Sequence, residues 1–146
     1  MAFPDTIERR LELHRPVEQV WAALTTAEGL GTWFGERAEV DLRVGGEIRL
    51  AWESSGDTAT LVVARVEPPH LLVWTWGISG LPDDDPRRTT VTFTLEPTAT
   101  GTTLTVVEQG FAQVADADLH GPAFEGNERG WTHELGELVA YLDAAA

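Results

Sequence analysis

Residues 89–95 read Thr-Thr-Val-Thr-Phe-Thr-Leu, and this segment decides the fold class. Its apolar side chains, Val91, Phe93 and Leu95, occupy every second position, with threonines between them. Such alternation is typical of a β-strand that buries one face and exposes the other. Gly101 then marks a turn, and Thr102–Gln109 reads as the next strand. The segment therefore predicts an antiparallel hairpin.

Strand-like segments continue upstream from this hairpin as far as Arg37, with no helical pattern between them. Gly45-Gly46, Ser54–Asp57 and Pro68-Pro69 supply the turns that separate them. Strands joined by short turns predict an antiparallel meander. The segment Thr58–Val66 is apolar on both faces, so the sequence leaves its inward face open.

Helical patterns lie on both sides of the meander. A first strand at Thr6–Leu13 leads to Pro16, which suits the start of a helix, and Thr25 and Glu28 have capping-box spacing. These features predict two short helices that end near Phe34. A long C-terminal helix follows a loop at 112–121, and its apolar stripe comprises Trp131, Leu135, Leu138, Val139 and Leu142.

The last helix is the only predicted element long enough to cover the apolar face of a twisted meander. The sequence thus predicts an α+β fold, in which a curved antiparallel sheet of about six to seven strands wraps around the C-terminal helix. The 146 residues suit a single domain that spans 1–146.

Composition excludes several classes of function. The chain has no cysteine, so disulfides, thiolate metal sites and cysteine nucleophiles are excluded. Its net charge of −14 argues against nucleic acid and anionic membrane surfaces as partners. No secretory signal or membrane-spanning run is apparent, so we expect a cytoplasmic protein.

Several short motifs occur in an order that resembles a known family. They are Val20-Trp21, Leu24-Thr25, Leu30, Trp33-Phe34, Val44-Gly45-Gly46-Glu47, Pro68-Pro69, Leu72–Trp76, Val91–Leu95, Gly101–Thr105, Gly110-Phe111, Gly130-Trp131, Leu135, Leu138 and Tyr141-Leu142.

Together these motifs resemble the family named after the C-terminal domain of the Hsp90 ATPase activator. That family belongs to the START-like, helix-grip superfamily, also called SRPBCC. The resemblance implies a cavity between sheet and helix, but the superfamily includes lipid carriers, hormone receptors, cyclases and chaperone co-factors. Eukaryotic activators carry an additional N-terminal domain that precedes this one, so we rank a chaperone partner below a small-molecule ligand.

The chain contains six tryptophans, which is many for its length. Large aromatic residues can be core residues, but several indoles around one cleft would also line an apolar ligand site. The residues expected to contact a ligand are Trp33, Phe34, Leu50, Trp52, Trp74, Trp76, Phe93, Glu108, Phe111, Trp131 and Leu135.

Glu108 is the one catalytic candidate that the sequence offers. It lies in phase with Leu104 and Val106 on the last strand, so its carboxylate is expected to point inward. There it could act as a general acid or base, or orient a ligand. The alternative is that it reaches solvent or an arginine such as Arg65.

Other kinds of site find no support in the sequence. The four histidines, His14, His70, His120 and His133, lack metal-ligand spacing and are expected at the surface or in turns, so no metal site is predicted. Nucleophile-elbow, phosphate-loop and dinucleotide motifs are missing, so no cofactor is predicted.

The sequence thus favours a module that binds an apolar or amphipathic small molecule. Two alternatives stay open. One is a cyclase- or hydrolase-like enzyme that uses Glu108, and the other is a protein-interaction module in chaperone or stress biology. A homodimer is compatible with all three.

Overall fold

The structure is a computed structural model that describes residues 5–78, 81–82, 85–114 and 117–144. Its strands are β1 (Thr6–Leu13), β2 (Arg37–Val40), β3 (Glu47–Trp52), β4 (Asp57–Glu67), β5 (Leu71–Gly77), β6 (Arg88–Pro97) and β7 (Thr102–Gln109). The helices are α1 (Val17–Thr25), α2 (Ala27–Gly29) and α3 (Ala117–Ala144). A π-helical turn, Leu30–Phe34, extends α2, and a 3-10 turn, Phe111–Gln113, precedes α3.

The strands form one antiparallel sheet in the order β1-β7-β6-β5-β4-β3-β2. The predicted hairpin is confirmed as β6 and β7, which pair from Thr90 with Gln109 to Pro97 with Thr102. Within the described residues the sheet has seven strands, and the N-terminal β1 forms one edge by pairing with β7. The predicted α+β helix-grip fold is therefore correct. No helix in the described ranges is both long and apolar enough to cross a bilayer.

The structure identifies the inward face of β4, which the sequence did not determine. Leu61 and Val63 are buried, whereas Val62 is half-buried and Thr60 is exposed. A register shift follows between Val63 and Arg65, which is a β-bulge in the pairing with β5. The bulge moves the strand out of simple alternation, and this is why the segment reads as apolar on both faces.

The helix boundaries differ from the predicted ones in two places. The cap of α2 is Thr26, whose hydroxyl accepts from the backbone N–H of Gly29 at 3.0 Å. Thr25 instead donates its hydroxyl to the carbonyl of Trp21 within α1. The loop predicted at 112–121 is shorter, because α3 already begins at Ala117; residues 115 and 116 lie outside the described ranges.

Helix α3 covers the concave face of the sheet. Its buried residues Trp131, Leu135, Leu138 and Leu142 follow the predicted helical spacing. Val139 was predicted in the same stripe, but 36% of its surface is exposed. A straight stripe at i, i+4 and i+7 is narrower than the predicted set, so Val139 lies at its margin.

Strands β4 and β5 separate at one end. Their pairing runs from Glu67 with Leu71 to Val62 with Thr75 and stops there. The segment 57–61 of β4 pairs only with β3, and residues 76–77 of β5 pair only with β6. The sheet therefore forks beyond Val62 and Thr75.

Candidate functional site

Glu108 lies at the centre of a buried polar cluster. It pairs across the sheet with Val91 of β6, and Thr89 pairs with Trp76 of β5. Residues that alternate along these strands share a face, so Trp76, Thr89 and Glu108 all point to the concave side. None of the Glu108 surface is exposed. The inward direction predicted from the phase of β7 agrees with this placement.

Four side chains donate hydrogen bonds to the Glu108 carboxylate. Trp76 Nε1 lies 2.6 Å and Thr89 Oγ1 lies 2.5 Å from Oε2, and Trp131 Nε1 lies 2.9 Å from Oε1. Asn127 Nδ2 lies 2.9 Å from Oε1 and 3.1 Å from Oε2. Asn127 and Trp131 are four residues apart on α3, so both point to the same side of the helix.

This carboxylate is held by neutral donors. Within the described part of the chain no basic side chain forms an ion pair with it. Arg65, the arginine considered from the sequence, is exposed and pairs with Glu67 instead. A buried carboxylate is tolerated only when its oxygens are bonded, and here four donors satisfy them. The result is a rigid link between β5, β6, β7 and α3.

Most of the residues predicted to contact a ligand form one packed aromatic core. The Phe34 ring lies 6.1 Å from Trp74, 6.0 Å from Trp76 and 5.9 Å from Trp131, measured between ring centroids. The predicted residues that are buried in this core or beside it are Trp33, Phe34, Leu50, Trp74, Phe93, Phe111, Trp131 and Leu135. Trp52 is half-buried and packs against it.

Trp76 is the predicted residue that connects the core to the surface. It is half-buried and lines a cleft of about 600 Å³. The cleft lies where β4 and β5 separate, and Asn127 lines it as well. Its remaining lining residues are Glu47, Thr58, Ala59, Thr60, Val62, Gly77, Ile78, Leu81, Pro82 and Arg88.

Side chains from both faces of the sheet reach this cleft. On β4, Ala59 has the inward parity of Leu61, whereas Thr58 and Thr60 have the outward parity and are exposed. Trp76 comes from the concave face, and Arg88 has the opposite parity to the buried Thr89. The cleft is therefore a slot within the sheet, with aromatic and amide groups at one side and a guanidinium at the other.

Sequence reasoning missed Thr89 and Asn127. Thr89 is in phase with the buried Val91, and Asn127 precedes Trp131 by one helical turn, so both signals were present in the periodicity. The histidine prediction fails at His120, which is buried and stacks on Phe124 with the rings 8° apart. Among the described residues, no three His, Asp or Glu side chains lie close enough to hold a metal ion.

The chain matches one family model over most of its length. Residues 14–143 match the model described as activator of Hsp90 ATPase homolog 1-like protein. A search of curated proteins finds no match.

Solved structures show the same fold. The chain is similar to protein MLL2253 from Mesorhizobium loti, with a TM-score of 0.81, 29% identity and coverage of 97% of this chain and 98% of that one. It is similar to DynU16, a protein of the dynemicin biosynthetic locus, with a TM-score of 0.79, 25% identity and coverage of 97% of this chain and 48% of that one. PFC0360w, an HSP90 activator from Plasmodium falciparum, is 24% identical with a TM-score of 0.77, over 96% of this chain and 97% of that one, and shares the fold.

Proposed function

The chain belongs to the family of activator of Hsp90 ATPase homolog 1-like proteins, and we propose that it acts within that family as a small-molecule binding module. The proposed ligand is apolar or amphipathic and occupies the cleft beside Trp76. The observation that carries the proposal is the cleft of about 600 Å³, whose wall contains two side chains, Trp76 and Asn127, that Glu108 holds in place. Ligand pockets commonly have volumes of about 300–1,000 Å³.

The cleft has the composition of a ligand site. Trp76, Ile78, Leu81 and Pro82 supply apolar surface, and Thr58 and Thr60 supply hydroxyls. Asn127 directs its Nδ2 to Glu108, because the nitrogen of an amide donates and the carboxyl oxygens of Glu108 accept. The amide oxygen of Asn127 is then available to accept from a ligand. Such preset groups reduce the entropy cost of binding.

The position of Glu108 favours binding over catalysis. Its carboxylate has no exposed surface, and Trp76 and Asn127 separate it from the cleft. A substrate would reach it only by displacing one of these donors, which costs a charge-assisted hydrogen bond. Glu108 therefore supports the site as a residue that positions the cleft wall.

Tryptophan fluorescence and native mass spectrometry test this proposal. We would titrate the protein with fatty acids, flavonoids and polyketide-like aromatics, and examine the purified protein for a bound ligand. Trp76→Ala should abolish saturable binding, and Trp76→Phe should weaken it, because phenylalanine keeps part of the apolar area and loses the N–H. Trp21→Phe is the matched control, since Trp21 lies on α1 and does not line the cleft. Unchanged ligand affinity in a folded Trp76→Ala variant would contradict the proposal that the ligand binds in this cleft.

A second candidate function is contact with an Hsp90-type chaperone, as the family description suggests. The specific observation is the exposed apolar pair at the β2–β3 connection, where Leu42 is 37% and Val44 is 66% exposed. Large apolar side chains that are exposed to solvent are suited to contact another protein. An Hsp90 ATPase assay with the protein and with Val44→Asp tests this candidate: stimulation that is lost in the variant supports it, and no stimulation by the unaltered protein contradicts it.

A further inference from the structure

Arg88 lies at the fork between β4 and β5. It pairs in the sheet with Gly77, and its side chain reaches back over Thr75. Arg88 Nη2 donates to the Thr75 carbonyl at 2.9 Å, and Nε lies 3.3 Å from the Thr75 hydroxyl. Thr75 is the residue at which pairing with β4 stops. The guanidinium is therefore fixed at the apex of the cleft, with Nη1 free of these two bonds.

The charge of Arg88 is not neutralised by any described residue. The ten basic residues of the chain are all arginines. Those with a carboxylate partner are Arg9, Arg10, Arg37, Arg43, Arg49, Arg65 and Arg87. Of the other three, Arg15 donates to the carbonyls of Leu142 and Asp143 at the end of α3, and Arg129 is exposed. Arg88 is half-buried and lines the cleft.

The acidic residue in the cleft already has a partner. Glu47 accepts from Arg49 Nη2 at 2.9 Å, so it does not compensate Arg88. Asp85, close to Arg88 in sequence, pairs with Arg87 at 2.8 Å. The unpaired charge among the described lining residues is therefore positive, although the chain as a whole carries −14. Most of this surface repels anions, and the cleft is where an anionic group would be accepted.

We propose that the ligand of this cleft is an amphipathic anion. Its carboxylate or phosphate oxygens bind the Arg88 guanidinium, and its apolar body lies along Trp76 towards Leu81 and Pro82. Arginine suits this role because its guanidinium is charged and Thr75 already fixes its orientation, which leaves Nη1 and the second N–H of Nη2 to donate to such groups. The inference rests on the proposed function of the cleft and adds the chemical class of the ligand.

Three probes with the same ring system test the inference by isothermal titration calorimetry. They are 2-naphthoate, 2-naphthyl phosphate and the neutral 2-naphthol. We expect at least one anion to bind roughly ten- to a hundredfold more tightly than 2-naphthol, which is the range for a hydrogen bond to a charged group. The stronger of the two anions identifies carboxylate or phosphate as the preferred group. Added salt should weaken the binding of the two anions and leave the binding of 2-naphthol unchanged.

Arg88→Gln should abolish the preference for anions while the affinity for 2-naphthol stays the same. Arg88→Lys should keep part of the preference, since it retains the charge without the fork. Arg129→Gln is the matched control, because it removes an exposed arginine outside the cleft, and urea denaturation of each variant confirms that it is folded.

The outcomes separate this inference from the proposed function. Binding of 2-naphthol and both anions with equal affinity, or an anion preference that survives Arg88→Gln, overturns the inference and leaves the small-molecule site in place. Absence of binding by all three probes overturns both.

Discussion

The indole nitrogen of Trp76 donates to Oε2 of Glu108 across 2.6 Å, so a half-buried residue of the cleft is tied to a carboxylate that has no exposed surface. This bond joins the cleft to the core. The same carboxylate also accepts hydrogen bonds from side chains of β6 and α3. A change at Glu108 should therefore affect the stability of the fold and the geometry of the cleft together.

Glu108→Gln should destabilise the protein by about 2–4 kcal/mol, because glutamine offers one acceptor oxygen and turns its NH₂ towards groups that are themselves donors. Urea denaturation measures this change as a lower midpoint. Glu96→Gln is the control, since Glu96 is exposed near the end of β6. A loss of stability no greater than that of Glu96→Gln would mean that the hydrogen bonds from the four donors to the carboxylate do not stabilise the fold.

Two buried tryptophans in the same aromatic core should respond differently to replacement by phenylalanine. The N–H of Trp131 donates to Glu108, whereas the N–H of Trp74 is buried without a partner among the described residues. Both replacements remove a similar buried apolar area, but only Trp131→Phe also removes a hydrogen bond. Trp131→Phe should therefore lower the free energy of unfolding by about 1.5–3 kcal/mol more than Trp74→Phe does. Equal losses in urea denaturation would show that the Trp131 bond adds nothing to stability.

Burial raises the pKa of Glu134 from 4.5 to about 7; Glu137 adds to this rise and His133 opposes it. The folded state therefore holds this proton more tightly than the unfolded state does. The stabilisation from Glu134 is complete below pH 4.5 and is lost as the pH rises through about 7.

Glu134→Gln should remove this dependence, because glutamine stays neutral. We expect the variant and the unaltered protein to have similar unfolding midpoints at pH 5, and the variant to be the more stable of the two at pH 8. Urea denaturation at both pH values checks this. A difference in unfolding midpoint that is the same at both pH values would contradict the assignment of the raised pKa to Glu134.

Two glycines should respond in opposite directions to alanine. Gly136 is exposed on α3, and a methyl group there meets nothing within 4 Å, so Gly136→Ala should stabilise the protein by about 0.5–1 kcal/mol. At Gly101 a methyl carbon would lie 1.9 Å from the Leu13 carbonyl oxygen, so Gly101→Ala should destabilise it by about 1–3 kcal/mol or more. Thermal unfolding of the two variants gives the sign of each change, and two shifts in the same direction would contradict the expectation.

The fold could be predicted from the sequence because its signals are local. Alternation in 89–95 gives a strand, and helical spacing from Trp131 to Leu142 gives the covering helix. The inward direction of Glu108 follows from the same alternation. The exact cap at Thr26 was missed by one residue, since Thr25 and Thr26 both suit a helix start.

The site was less predictable because its parts come from different elements. The donors to Glu108 lie on β5, β6 and α3, and their meeting depends on strand register and on the rotation of the helix. The cleft depends on where β4 and β5 stop pairing, and the nearby bulge between Val63 and Arg65 has no residue type that marks it. Most of the predicted aromatic residues pack in the core. Periodicity shows which side of a strand or helix is apolar, but it does not show whether a cavity remains on that side.

The fork in the sheet also has a mechanical consequence. Beyond Val62 and Thr75 the two strands are already apart, so widening the slot breaks no rung of the β4–β5 ladder. Strands β2, β3 and β4 form one leaf, the other four strands form a second leaf, and the remaining paired segment is the pivot between them. From Val62 to Asp57 the lever is about 16 Å long, so a rotation of about 5° moves its tip by about 1.4 Å. A few degrees of flexure would thus change the width of the slot by about 1–2 Å, while the hydrogen bonds around Glu108 stay intact.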